Sequence, residues 1–131
     1  MNEKIEKALD FYKQGEYEKA IDAFSSVIET ENPTAEIYNN IGQCYASISN
    51  DEKAEDNFLK ALELDPKLPQ AYINLADLYY RNKDYENGIQ LLSQGVYEMP
   101  DNMVIAHFLA RFYMEDCSCL LYTSDAADEA R

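Results

Sequence analysis

Apolar and small residues recur three and four places apart through nearly the whole chain. Tyr38, Ile41, Gly42 and Tyr45 form one such series, and Ala54, Phe58 and Ala61 form the next. That spacing places each set on one face of an α-helix. Short polar breaks separate the series, the first at Gln14 and Gly15, where glycine reaches positive φ without a clash and suits the residue just past a helix end. The pattern predicts helices over residues 2–14, 17–30, 35–48, 51–64, 69–82, 85–98 and 102–116, and no strand.

The series repeat every 34 residues. Phe11 aligns with Tyr45, Tyr79 and Tyr113; Lys7 with Ile41, Leu75 and Leu109; Ala8 with Gly42, Ala76 and Ala110. In the second half of each unit Ala20, Ala54 and Gly88 align, followed by Phe24, Phe58 and Leu92, and by Val27, Ala61 and Gly95. Several columns agreeing at one spacing mark stacked repeats, here residues 1–34, 35–68 and 69–102, with the first helix of a fourth at 103–116. Small residues in each helix let the two approach, and the rings beside them fill the remaining space. Each unit is therefore an antiparallel helix pair. Ser49 with Glu52 forms a candidate capping box for the fourth helix, and Pro69 suits the first turn of the fifth. Gly88 and Gly95 replace alanine in the sixth helix and are expected to soften it by ~1 kcal/mol each.

These columns, with the Gly15-x-Tyr17 turn, Pro66 and Pro100 near the unit ends, and Tyr38, Ile41, Gly42, Tyr45, Ala54, Phe58 and Ala61 in repeat two, resemble the tetratricopeptide repeat family. The resemblance implies an all-α fold, a right-handed α-solenoid of antiparallel helix pairs whose first helices line a concave groove. It places Tyr12, Asn39, Asn40, Gln43, Asn74, Asp77, Tyr80, Arg81 and Arg111 toward that groove. Asn40 and Asn74 occupy equivalent columns and are candidates to hydrogen-bond the backbone of an extended peptide, with Tyr12 and Tyr80 as apolar anchors. A clamp of basic residues on a peptide's terminal carboxylate is the family's best-known binding mode. The positions that would carry it read Ile5, Gln70 and Asn74, and only Asn40 fits. Lys4 and Lys7 give repeat one the polar outer side of a solvent-facing cap.

Composition narrows the choices further. With 47% hydrophobic residues the chain can fill a core, and a formal charge of −14 disfavours nucleic acid as a partner. The groove candidates themselves balance, with Lys13, Arg81 and Arg111 against Glu36, Asp77 and Glu115. Acids such as Glu52, Glu55, Asp56 and Glu63 read as the solvated outer face of a second helix. No apolar run approaches the ~20 residues that span a bilayer, so neither a membrane nor a secretion route is expected and the location reads as cytoplasmic. Three cysteines make no disulfide framework, and Cys44 reads as a core filler. His107 has no partner that the spacing places beside it, and neither a phosphate loop nor a metal-ligand cluster is present, so no enzyme activity, cofactor or metal is expected.

From Cys117 the repeat pattern breaks. Residues 119–129, CLLYTSDAADE, resemble the translation of a transposase sequencing adapter, so residues 117–131 are read as a non-native or disordered tail. The apolar surface of helix 103–114 then lacks its following helix and is expected to drive self-association. The functional expectation is a non-catalytic scaffold that binds a protein or peptide partner in its groove. The alternative is the N-terminal arm of a larger enzyme, such as a glycosyltransferase or methyltransferase.

Overall fold

The computed structural model describes the backbone of residues 3–129 and the side chains of residues 3–116. Among the described residues there are seven helices and no strand: α1 (Glu3–Lys13), α2 (Tyr17–Thr30), α3 (Ala35–Ser47), α4 (Asp51–Leu64), α5 (Pro69–Arg81), α6 (Tyr85–Glu98) and α7 (Met103–Glu129). Each helix packs on the next in sequence, and the first helices of successive repeats also touch, α3 with α5 and α5 with α7. This is the solenoid that the 34-residue period predicts. The helix ends agree with the expected ranges to within one residue except at α7, which passes residue 116 without a break. No glycine or proline follows Pro100, so nothing in the local sequence stops that helix. The side chains of the tail lie outside the described residues.

The column logic holds at the helix crossings. Ala8, Gly42 and Ala76 are buried against the second helix of their own repeat, and Phe24, Phe58 and Leu92 are buried opposite them. At Gly42 an added Cβ would lie 2.6 Å from the Phe58 ring, so the ring packs directly on the α3 backbone. Close contacts of this kind also occupy the two glycines of α6, a packing role beside the softening expected from their helix propensity. A Cβ at Gly88 would overlap the ring of Phe112 from α7, and one at Gly95 would meet Ile105 at 3.0 Å and Tyr72 at 3.1 Å. Phe112, Ile105 and Tyr72 are all buried. Gly88 is thus a seat for α7, and Gly95 a seat for both α7 and Tyr72 of its own repeat.

The turns inside the repeats form a column of their own. Gly15, Ser49 and Lys83 have φ values of 81°, 65° and 59°. Only repeat one supplies glycine at this left-handed position. Ser49 is spent on the turn, so the expected Ser49–Glu52 capping box is not formed. Instead Asn50 Oδ1 accepts from the Lys53 backbone N–H at 3.3 Å, and Asp84 does the same for Asn87 in repeat three. Because a left-handed conformation costs a side-chain-bearing residue ~1–2 kcal/mol, Lys83→Gly is expected to stabilise the protein by about 0.5–1 kcal/mol after the unfolded chain's added freedom is subtracted. A rise in the urea midpoint checks this, and a fall would place the strain elsewhere.

Hydrogen bonds join successive repeats where rings meet polar groups. The Tyr72 hydroxyl donates to the Pro66 carbonyl at 2.8 Å, tying α5 to the end of repeat two. The buried Tyr79 hydroxyl donates to Glu55 Oε2 at 2.5 Å. Burial together with that bond raises the Tyr79 pKa well above the usual tyrosine value. Glu55 therefore departs from the solvated outer face expected of it, because α5 packs on α4 and brings Tyr79 to it.

Candidate functional site

The first helices present two adjoining hollows. One, of about 350 Å³, is lined by Tyr12, Gln43, Ala46, Ser47, Phe58, Asn74, Asp77 and Arg81. The other, of about 120 Å³, is lined by Asp77, Tyr80, Phe108, Arg111 and Phe112. Asp77 belongs to both, so they form one groove running from repeat one to α7. Of the residues expected there, Tyr12, Gln43, Asn74, Asp77 and Arg81 line the larger hollow, and Tyr80 and Arg111 the smaller.

Asn39 and Asn40 line neither. Asn39 is 6% exposed, and its Oδ1 accepts from Asn74 Nδ2 at 3.0 Å. The expectation that Asn39 faces the groove is corrected on this point: it is an internal polar bond between α3 and α5. Asn40 is half-buried beside it. Asn40 and Asn74 share a column but not a setting: Asn74 lines the larger hollow with one donor committed to Asn39, and Asn40 lines neither hollow. Asn74→Ala would strand a buried acceptor and is expected to destabilise by about 1–3 kcal/mol, while Asn40→Ala leaves no such orphan. Thermal unfolding of the two single variants checks the difference, and equal midpoints would contradict it.

The anchors are likewise partly engaged. Tyr12 meets the edge of Tyr17 at 5.5 Å between ring centroids, and burial is the first cause raising its pKa, with Cys44 and Tyr17 adding to it. Tyr80 lies under the Arg111 guanidinium at 5.5 Å, packs edge-on against Tyr85 and Phe112, and donates its hydroxyl to Glu115 Oε1 at 3.1 Å. Arg81 and Asp77 approach at 3.7 Å on an exposed turn of α5, a pair worth little to stability. The groove's two arginines are thus pre-positioned by neighbours yet remain exposed. Below the groove Cys44 is fully buried, and burial pushes its thiol up to about 11, which keeps it neutral and unreactive at pH 7.

Ala46, Phe58 and Phe108 line the groove without having been expected there. Ala46 had a readable signal: it interrupts the column occupied by Tyr12 and Tyr80. Phe58 comes from a second helix and belongs to the core, so its access to the groove depends on the small neighbour above it. No group of three or more potential metal ligands occurs among the described residues.

Three tetratricopeptide repeat models match the chain, over residues 8–49, 35–68 and 57–90. Across residues 8–90 the helix pairs thus match tetratricopeptide repeats, and the chain folds as an α-solenoid of that kind. Among curated proteins it is similar to the Hsp70-Hsp90 organizing protein of Triticum aestivum, with 24% identity over 110 residues. That match takes in 84% of this chain and 19% of the relative, so the chain spans about a fifth of that protein's length. Among solved structures it resembles the Sgt2 TPR domain from Aspergillus fumigatus, with a TM-score of 0.76, 18% identity and coverage of 88% of this chain and 78% of that one. It also resembles the second TPR domain of the human RPAP3 protein, solved in complex with the HSP70 peptide SGPTIEEVD. There the TM-score is 0.71 at 21% identity, covering 84% of this chain and 92% of that one.

Proposed function

We propose that the chain is a non-catalytic scaffold that holds an extended peptide, or one face of a partner helix, in the groove formed by α1, α3, α5 and α7. The observation that carries this reading is the pair of adjoining hollows lined by Tyr12, Gln43, Asn74, Asp77, Tyr80, Arg81 and Arg111. Its polar groups can pair a peptide backbone, and its rings offer apolar anchorage. The human RPAP3 domain, of the same fold, was solved with a peptide, which supports the mode of binding. The ligand here differs from a peptide held by its terminal carboxylate. Ile5, Gln70 and Asn74 supply no cation at the positions of such a clamp, and the cations that line the hollows, Arg81 and Arg111, stand at the other end of α5 and on α7. No nucleic acid or membrane is required, cofactors have no role, and the cytoplasm is the setting that suits such a scaffold. No helix among the described residues is long and apolar enough to cross a membrane.

Selection from a displayed peptide library tests the reading. Peptides recovered on the chain should lose at least ten-fold in affinity for an Arg81→Glu, Arg111→Glu double variant and bind unchanged to Glu63→Lys on the second-helix side. Recovery of no peptide, or affinity unaffected by the double substitution, would refute the groove. The tail is read in the same spirit: residues 117–131 are an adapter-derived extension of a domain that occupies residues 1–116. A genomic reading frame that encodes CLLYTSDAADE without adapter sequence would overturn that part. The same frame decides against the enzyme-arm alternative if it continues in further 34-residue units.

A further inference from the structure

In repeats one and three a pair of tyrosines five residues apart spans the turn between the two helices. Tyr12 meets Tyr17 at 5.5 Å and 68°, and Tyr80 meets Tyr85 at 6.0 Å and 67°. Both are edge-to-face contacts at the usual aromatic separation. Repeat two holds Ala46 and Asp51 in these two columns. Neither brings a ring, and the 350 Å³ hollow opens at Ala46, between Tyr12 on one side and Asn74, Asp77 and Arg81 on the other, with Phe58 as its floor. Phe58 is otherwise a core residue, 1% exposed. Asp51 is left with a buried Oδ1 that has no hydrogen-bond partner, while its Oδ2 accepts from Asn82 Nδ2 at 3.2 Å. The repeat is thus missing the aromatic pair of its two neighbours, and where Tyr80 occupies the same column in repeat three the adjoining hollow is smaller, about 120 Å³.

We propose that this hollow is a socket for one tyrosine side chain of the bound peptide, which supplies to repeat two the ring that its own sequence lacks. This rests on the groove reading and adds the residue that the groove selects. At about 350 Å³, within the ~300–1,000 Å³ found for ligand pockets, the hollow has room for one aromatic side chain. Ala46 and Phe58 form an apolar base for a ring, and the Tyr12 ring lines one wall. Gln43, Ser47 and Asn74 at the sides offer hydrogen bonds to a phenol hydroxyl that leucine or phenylalanine cannot use. A site with polar groups placed for a hydroxyl penalises ligands without one, because its own donors and acceptors then stay unpaired.

The test is an amide NMR titration of the full chain with N-acetyl-L-tyrosinamide, beside the phenylalanine and leucine amides. The tyrosine amide should move the backbone signals of Gln43, Ala46, Ser47 and Asn74 in a saturable way, at least three-fold more tightly than either comparison. Ala46→Tyr, which restores the column's own ring, should abolish that response without lowering the thermal midpoint. If that variant does not fold, Ala46→Leu fills the base less completely and should still weaken the response at least five-fold. Absence of shifts at those four amides, equal responses to all three ligands, or a response that survives in the folded filled variant would overturn the socket. Library selection separates the two ideas: groove-bound peptides lacking an enriched tyrosine overturn the socket and leave the groove standing. If no peptide is recovered the groove reading fails, and the titration alone then decides the socket.

Discussion

Gly88→Ala is expected to destabilise the protein, although alanine is the better helix former by ~1 kcal/mol and the propensity scale alone gives the opposite sign. The added methyl would fall inside the Phe112 ring, which is buried and held by Tyr80 and Tyr85 on its other sides, with edge contacts at 5.6 and 6.1 Å. The ring cannot swing into solvent without abandoning both contacts, so α7 must shift as a body. Gly42→Leu makes the same argument inside repeat two, where the Phe58 ring lies 2.6 Å from the would-be Cβ and four added carbons have no space. Overpacking of this kind costs ~1–3 kcal/mol and occasionally more, and the Gly42 change stands at the upper end because both helices of the pair must part. A domain of this size has only ~5–15 kcal/mol in hand. With a slope of ~1–3 kcal/mol/M in urea, Gly42→Leu should lower the midpoint by ~1 M or more, against almost no change for exposed Glu63→Gln. A Gly88→Ala midpoint above that of the parent would mean that Phe112 does not sit on α6.

The fold was legible because each helix boundary is written twice, by the 34-residue period and by local turn chemistry. Gly15 announces its turn, and Ser49 and Lys83 inherit theirs from the column even though neither residue favours positive φ. What the period could not convey is the relation between repeats. Asn74 bonds Asn39 and Tyr80 bonds Glu115, and both pairs are 35 residues apart. Both bonds thus join residues one place off the 34-residue columns. A reading that matches Asn40 with Asn74 at 34 finds equivalent positions but not touching ones, and it gives no sign that Asn39 is the residue Asn74 bonds. Glu55 illustrates the same limit. On its own helix it sits at the edge of the polar face, and only the arrival of Tyr79 from the next repeat makes it an acceptor. The family resemblance, which assigns first helices to a concave face, is what pointed to Tyr12, Asp77, Arg81 and Arg111, and these four line the hollows. The hollow at Ala46 required attention to a residue that is absent, a ring missing from one column.

The chain is expected to associate with itself through α7, and two substitutions on that helix should return it to a monomer. In repeats one to three the column Ala8, Gly42 and Ala76 is buried under the second helix of the same repeat, whereas Ala110 is exposed. Around it Met103 is 80% exposed, Met114 69%, Val104 51% and Tyr113 47%, while Ile105 and Phe112 on the opposite side are buried. Tyr113 makes the comparison sharpest, since its counterpart Tyr79 is only 8% exposed. The face is a stripe with a small residue at its centre and large apolar residues beside it, the same pattern that receives a helix elsewhere in this chain, and exposed patches of that kind drive association. The formal charge of −14 opposes it, so association should tighten as salt screens the repulsion. Sedimentation across a concentration series should therefore find reversible oligomers that strengthen between low and moderate salt. Ala110→Lys with Met114→Lys places two charges on the stripe without touching Ile105, Phe108 or Phe112. It should weaken association at least ten-fold, about 1.4 kcal/mol, while hydrogen exchange at Ile105 and Phe112 stays slow. A parent chain that remains monomeric at every salt concentration would show that the stripe is covered within the molecule.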